Sequence, residues 1–371
     1  MSAEAQRLLE ELGQALEALL LAGTTTASSA TQRTLTAAFE AASKARFLRL
    51  GATLRLVLEE LKRFDSAPER FSGARLAFFV DRAWLLAQAT RRALAAGDTA
   101  ALERLNASPT QVRAESLTVA TLGVQRRYVP GAFSAFEFRL RLLDAAPLAD
   151  GRVLDRGTPL VYGMVFPATA GGQLPPEAML ALPQKQGYRP AELLEGKALT
   201  ITPALLGGSP LRLALLPDSR VTTGVAVTDW RTLAPRDPAH WRARVAAYRP
   251  DPLELPIEFA DELLLEDWTL LGDFAPSTVP GREAEREAPL AALGCRFTLR
   301  IDAEPATLAQ RLQAVNGAQA LYAAVHLEYG RQVLTPLALL GESPEYPGLD
   351  PTKFNRTTLV RALHASVVSQ K

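Results

Sequence analysis

The spacing of apolar residues changes near Ser116. Up to that point, leucines such as Leu8, Leu12 and Leu16 recur every three or four residues, which is the spacing that places side chains on one face of a helix. Beyond it, apolar side chains alternate with polar ones, as they do in a half-buried strand. The sequence therefore predicts an α+β protein with an N-terminal helical bundle followed by β-rich modules.

Residues 136–142 give the clearest strand pattern. The alternation predicts an apolar face (Phe136, Phe138, Leu140 and Leu142) and a charged face (Glu137, Arg139 and Arg141). An antiparallel sheet with such strands commonly buries one face and leaves the other in water. Five or six strands with one long insertion fit either a small barrel, such as an OB-type barrel, or a sandwich. The pattern leaves both architectures open.

Three stretches of the first β-rich module resemble three stretches of a second one, in the same order. Residues 136–144 (FEFRLRLLD) resemble 296–302 (RFTLRID), residues 159–166 resemble 321–329, and residues 199–210 (LTITPALLGGSP) resemble 334–344 (LTPLALLGESP). Recurrence in a fixed order indicates a repeated structural unit. We therefore predict two related β modules, and these similarities suggest an internal duplication.

Breaks in the pattern divide the 371 residues into four parts, because a chain of this length is long for a single core. Residues 1–113 form the predicted helical bundle, and residues 114–227 form the first β module. Residues 228–260 are a predicted connector with a short helix that starts at Pro238. Residues 261–371 form the second β module, with helices predicted at 307–315 and 355–368.

The charge balance and the cysteine and histidine content argue against several classes of protein. A formal net charge of +1 creates no overall field that would steer the chain to nucleic acid or an anionic membrane. The single cysteine, Cys295, permits no intrachain disulfide, and the three histidines lie far apart without metal-binding spacing. We therefore expect no metal and no other cofactor.

The N-terminal segment is charged and amphipathic, and no apolar run reaches the ~20 residues that span a bilayer. We therefore expect a cytoplasmic protein with no membrane partner. Ala, Leu and Arg are abundant, which is typical of proteins from GC-rich bacterial genomes. We therefore expect a bacterial protein.

No motif in the sequence specifies a reaction. His326 and Glu328 share a predicted strand face, but residues two apart on a strand point the same way without bonding well. A surface histidine is the simpler interpretation. The glycine pairs at 171–172 and 207–208 match no phosphate-binding loop. The sequence therefore favours a non-catalytic bacterial scaffold or adaptor that binds an unidentified protein partner.

An alternative function comes from a basic cluster with interleaved aromatic residues. It runs through Arg126, Arg127, Tyr128, Phe133, Phe136, Arg139 and Arg141. The residues predicted to bind are Arg126, Arg127, Tyr128, Arg139 and Arg141. On the face of an OB-like barrel, aromatic rings stack on bases while arginines contact phosphates, which is how single-stranded nucleic acid is bound. The competing interpretation places Arg139 and Arg141 on an ordinary solvated face, paired with Glu137 and Asp144.

Overall fold

The structure is a computed structural model. It describes residues 3–23, 29–106, 111–129, 133–167, 176–208, 210–233, 238–249, 260–279, 282, 284–303, 307–328 and 330–349. The chain divides into two compact units, Met1–Thr110 with Pro250–Leu255, and Gln111–Arg249 with Pro256–Lys371. The helix predicted at 355–368 lies outside the described residues.

In its described residues, the first unit is a bundle of helices, as the sequence predicts. The helices are α1 (Ala3–Ala22), α2 (Ser29–Lys44), α3 (Leu48–Ser66), α4 (Gly73–Ala96) and α5 (Thr99–Asn106), with a 3₁₀ turn at Pro68–Arg70. The leucine stripe of α1 is buried against the other helices, with Leu12 and Leu16 almost fully inaccessible to solvent. None of the described helices is long and apolar enough to cross a membrane.

Glu60 of α3 is fully buried and is held by two arginines. Arg75 of α4 donates from Nε to Oε1 (2.6 Å) and from Nη2 to Oε2 (2.9 Å), and Arg63 donates to the same carboxylate. Burial opposes ionisation of Glu60, but Arg75 and Arg63 outweigh it and lower the pKa of this carboxyl below its ordinary value. The ion pair ties α3 to α4 inside the bundle.

The second unit begins with a closed barrel. Its strands are β1 (Val112–Ala114), β2 (Leu117–Val129), β3 (Phe133–Leu142), β6 (Pro159–Pro167), β7 (Lys197–Gly207) and β8 (Arg212–Ala226). The short strands β4 (Ala146–Pro147) and β5 (Val153–Leu154) form a separate two-stranded sheet. β2 pairs with β3, β3 with β6, β6 with β8, β8 with β7, and β7 with β2. Among these pairs, only β6 and β8 run parallel. This is the connectivity of an OB-type barrel, and we refer to it as barrel 1.

Two 3₁₀ helices, Pro176–Ala181 and Pro190–Leu194, lie between β6 and β7, which are the third and fourth strands of the closed barrel along the chain. After β8, a short 3₁₀ turn at Trp230–Thr232 and the helix α6 (Pro238–Ala247) lead to the rest of the unit. The helix predicted to start at Pro238 is therefore confirmed.

The remaining strands form a second barrel, here called barrel 2. They are β9 (Ala260–Leu265), β10 (Thr269–Leu270), β11 (Ala275–Pro276), β12 (Glu285–Ala292), β13 (Cys295–Asp302), β14 (Ala320–Glu328), β15 (Arg331–Leu340) and β16 (Pro344–Glu345), with α7 (Thr307–Val315) between β13 and β14. β12 pairs with β13, β13 with β15 in parallel, β15 with β14, and β14 with β9, while β10 pairs with β12. β9 pairs with β14 and the following β10 pairs with β12, just as the start of β2 pairs with β7 and the rest of β2 with β3. With β9 and β10 together in the place of β2, barrel 2 has the strand order of barrel 1.

The two β modules therefore share a fold, but the sequence similarities matched the wrong strands. Residues 136–142 are the second barrel strand of barrel 1 (β3), whereas residues 296–302 belong to the third strand of barrel 2 (β13). The other two matches are also displaced by one strand. Barrel strands resemble one another because each alternates apolar and polar residues, so short stretches identify a strand without identifying its place in the sheet.

Candidate functional site

The outer face of β2, β3 and β6 contains most of the residues that the sequence singles out. Paired residues of antiparallel strands point to the same side of the sheet, so the pairing defines rows across this face. The rows are Arg127, Ala135 and Val165; Gln125, Glu137 and Gly163; and Gly123, Arg139 and Val161, with Arg141 one step further along β3. The opposite face, with Phe136 and Phe138, is the core of barrel 1.

Barrel 2 covers one half of this outer face. A Cβ atom added to Gly123 would lie 2.6 Å from Leu337 Cβ and 2.9 Å from the Tyr322 ring, so only glycine permits this close approach. Leu264, Tyr322 and Leu337 of barrel 2 belong to the same buried cluster as the core of barrel 1. The barrels therefore share one continuous apolar contact.

Arg141 is buried in this contact, with 3% of its surface exposed. It donates from Nη2 to Tyr322 Oη (2.7 Å) and to Glu262, from Nη1 to the Leu140 carbonyl (3.0 Å) and from Nε to the Leu233 carbonyl (3.3 Å). Burial opposes the charge of Arg141, but Tyr322 and Glu262 outweigh it and raise the pKa of the guanidinium above its ordinary value. The guanidinium of Arg141 is therefore neutralised and hydrogen-bonded by groups inside the protein.

Glu262 of β9 is the acidic partner from barrel 2. Burial opposes its ionisation, but Arg141 and Arg139 lower the pKa of this carboxyl below its ordinary value. Tyr322 also donates its hydroxyl to Glu262, and burial keeps this phenol protonated by raising its pKa. Arg139 bonds to Glu137 (3.0 Å) and Gln125 (3.1 Å) and lies 3.6 Å from Glu262.

Arg126 makes a second bridge between the barrels. Its Nη1 donates to Glu177, which lies in the 3₁₀ helix Pro176–Ala181 of barrel 1. Its Nη2 donates to Asp302 of β13 (3.2 Å). Burial would lower the pKa of Arg126, but Glu177 and Asp302 raise it above the ordinary value. Arg126 is therefore held in ion pairs within the protein.

The five residues predicted for nucleic-acid binding thus have different environments. Arg126, Arg139 and Arg141 lie in the contact between the barrels, whereas Arg127 is exposed. Tyr128 lies in β2, and its side chain is outside the described part of the structure. The interpretation that placed Arg139 and Arg141 on a solvated face of β3 was wrong, because barrel 2 covers this part of the face.

Sequence reasoning did not identify the partners that barrel 2 supplies, namely Glu262, Tyr322 and Asp302. The one signal in the sequence was a glutamate beside three consecutive leucines, at residues 262–265. A carboxylate next to a buried strand needs a cationic partner, but the sequence does not say which arginine approaches it.

The other half of the outer face is open. Phe133 is 36% exposed and Val165 is 68% exposed, and Arg127 and Gly163 are also exposed. Arg212 of β8 reaches across the sheet to Glu137 (Nη2 to Oε1, 3.3 Å) while its side chain remains 56% exposed. Two arginines thus border a surface that contains an aromatic ring and an apolar side chain.

A second charged cluster lies on the outer face of barrel 2. Arg300 bonds to Glu287 (2.7 Å) and is paired with Glu285 and Glu328, and Arg282 bonds to Glu328 (2.8 Å). Burial lowers the pKa of the neighbouring His326. Because Glu328 is paired with two arginines, it is not free to act as a base with His326. Within the described ranges, no group of three His, Cys, Asp or Glu side chains is placed to hold a metal ion.

Neither a protein-family model nor a curated protein sequence matches the chain. Among solved structures, the chain is similar to one described as "Molecular basis for abrogation of activation of pro-inflammatory cytokines", with 9% identity and a TM-score of 0.29 over 64% of this chain and 94% of that one. It is also similar to a replication protein A heterotrimer bound to single-stranded DNA, with 11% identity and a TM-score of 0.27 over 68% of this chain and 52% of that one. Both TM-scores are too low to indicate a shared overall fold.

Proposed function

We propose that this protein is a non-catalytic scaffold or adaptor in which the two barrels act as one binding body. The observation that supports this is the contact between the barrels, where the fully buried Tyr322 and the nearly buried Arg141 meet Glu262 beneath a shared apolar cluster. Separating the barrels would expose this cluster and leave a buried charge without its partner. The two barrels are therefore expected to move as one.

Such a body suits a scaffold because its surfaces are preorganised. A partner that contacts both barrels orders no hinge when it binds, and the entropy cost of binding is correspondingly smaller. The carboxylates best placed to be mistaken for catalytic groups, Glu262 and Glu328, are paired with arginines. A general base needs a free acceptor within reach of its substrate, and these pairs leave little capacity for that role.

The test is co-purification from the native host, followed by size-exclusion chromatography. We expect a partner protein to co-elute with the wild-type chain at fixed stoichiometry. Less of this partner should co-elute with the Gly123→Ala variant, because the added methyl group wedges the barrels apart. The matched control is Gly272→Ala, because the added Cβ meets Pro289 at an ordinary 3.5 Å. Substrate turnover by the purified chain alone would contradict the proposal, and so would equal capture by the wild type and Gly123→Ala.

A second candidate function is single-stranded nucleic-acid binding. It is favoured by the OB-type connectivity of both barrels, since the outer strands of such barrels bind oligonucleotides in many proteins. It is weakened by the ion pairs of Arg126, Arg139 and Arg141, which hold these side chains inside the protein. Fluorescence anisotropy with oligo-dT tests it, because binding through phosphates must weaken steeply with salt. A flat titration at low salt would remove this candidate.

A further inference from the structure

We infer that the open half of the outer face of barrel 1 is a short binding site for single-stranded nucleic acid, formed by Arg127, Phe133, Gly163, Val165 and Arg212. This inference rests on the second candidate function and gives it a location. Three of these residues, Gly163, Val165 and Arg212, were not part of the predicted basic cluster. The site excludes Arg126, Arg139 and Arg141, which barrel 2 engages.

The register of the strands places these residues together. Arg127 and Val165 flank Ala135 in one row, and Phe133 lies two residues before Ala135 on the same face of β3. Gly163 stands opposite Glu137 in the next row. The exposed ring of Phe133 and the exposed Val165 offer an apolar surface for a base, which aromatic side chains bind by stacking.

Gly163, at the centre of this surface, has no side chain that projects from the sheet. A Cβ atom at this position would lie 3.9 Å from Arg212 Nη1, so the arginine side chain extends over the glycine. Arg212 keeps more than half of its side chain exposed while one Nη atom bonds to Glu137, and its remaining N–H groups can therefore reach a phosphate. Arg127, on β2, supplies a second cation on the far side of this surface from Arg212.

The dimensions fit a short strand of nucleic acid. β2, β3, β6 and β8 are consecutive strands of the barrel, and three spacings of about 4.8 Å separate the two arginine-bearing strands by about 14 Å along the surface through β3 and β6. Barrel 2 closes the face at Gly123, so the site cannot extend along the strands in that direction. We therefore expect a site near the lower end of the about 4–16 nucleotides that OB barrels cover.

The corresponding outer surface of barrel 2 differs in its charges, although it too includes an exposed arginine, Arg296. Its second and third barrel strands carry Glu285, Glu287 and Arg300 on the outer side, and these charges are paired with one another. The carboxylates would repel phosphates, and Arg300 is almost fully buried. Barrel 1 is therefore the barrel expected to bind.

The test is fluorescence anisotropy of a labelled oligo-dT of about eight nucleotides with the full chain, at salt concentrations from about 50 to 200 mM. We expect Phe133→Ala to weaken binding by about tenfold, because stacking on the ring is lost. Arg127→Ala/Arg212→Ala should weaken it at least as much and reduce the salt slope by about 1.4, at about 0.7 per lost phosphate contact. The matched control, Arg152→Ala/Arg220→Ala, removes two exposed arginines outside the site and should leave binding unchanged.

The outcomes separate this inference from the function on which it rests. If the wild type binds oligo-dT and the Phe133 and arginine variants bind equally well, the site is wrong while nucleic-acid binding stands. If the wild type does not bind at the lowest salt, both are wrong. If poly-glutamate displaces the oligonucleotide equally well and Phe133→Ala has no effect, the face binds acidic polymers by charge alone and the inference fails. Thermal melts by circular dichroism establish that each variant is folded.

Discussion

Replacing Glu262 with glutamine tests how the two barrels are held together. The substitution keeps the shape of the side chain but removes the negative charge that faces Arg141. Arg141 would then remain buried with a tyrosine hydroxyl and two carbonyl groups as partners and without a neutralising carboxylate from β9. The second compact unit, which contains both barrels and is called the barrel unit below, should therefore be less stable to unfolding.

The size of the loss follows from the burial of the pair. Breaking a buried ion pair by removing one partner typically costs about 3–5 kcal/mol. Glu262 retains 15% side-chain exposure, and Arg141 keeps its other hydrogen bonds, so we expect the lower end, about 3 kcal/mol. With a urea slope of about 3 kcal/mol per M, the unfolding midpoint should fall by about 1 M.

Tryptophan fluorescence in a Trp84→Phe background is a suitable assay. Trp84 lies in the helical bundle, whereas the other three tryptophans, Trp230, Trp241 and Trp268, lie in the barrel unit and report its unfolding. The matched control is Glu266→Gln, because Glu266 has the same chemistry one residue beyond β9 but is about half exposed. This control should change stability by less than about 1 kcal/mol.

A double-mutant cycle decides whether the pair itself is responsible. Arg141→Met removes the cation, and Arg141→Met/Glu262→Gln removes both charges together. We expect the double variant to be more stable than the sum of the two single losses implies, with a coupling of about 2 kcal/mol. Strictly additive losses would refute the view that this ion pair joins the barrels, and so would equal effects of Glu262→Gln and Glu266→Gln.

Three further predictions follow from the same structure. Gly123→Ala should destabilise the barrel unit by about 1–3 kcal/mol in urea, because the new Cβ would overlap Leu337; no change would contradict the close approach. The pKa of Glu262 is lowered in the folded state, so the ionised carboxylate stabilises the fold above the unfolded pKa of about 4.3, and this stabilisation is lost as pH falls through the folded pKa. The difference in unfolding free energy between wild type and Glu262→Gln should therefore narrow in acid. A difference that stays constant with pH would contradict this. Glu60→Gln should lower the stability of the helical unit by about 1.5–3 kcal/mol, measured by circular dichroism, whereas the exposed Glu59→Gln should not; equal effects would contradict the buried ion pair.

The elements of the fold could be predicted locally because their patterns are local. The leucine stripe of α1 and the limits of α7 follow from three- and four-residue spacing, and α7 spans Thr307–Val315 as predicted. The change of period near Ser116 lies at the start of the β-rich region, between β1, which ends at Ala114, and β2, which begins at Leu117. Each of these features depends on side chains that are near in sequence.

The place of each strand in its sheet could not be read in the same way. β6 pairs in parallel with β8, and β13 with β15, although other elements intervene along the chain. Similar alternation in β3 and β13 led the sequence comparison to equate strands that hold different positions. Pairing is decided by contacts between distant residues, and a short sequence match carries no information about them.

The sequence by itself determined that Phe136 and Phe138 face a core and that Arg139 and Arg141 point the other way. Only the tertiary structure decided what lies on that other side, where Glu262 and Tyr322 approach Arg141 from more than a hundred residues away. Alternation along a strand reports that two faces differ, because it reflects the polarity of neighbouring side chains. Whether a charged face meets water or another barrel depends on how the whole chain packs, and here packing covers half of that face and leaves Arg127 and Phe133 exposed.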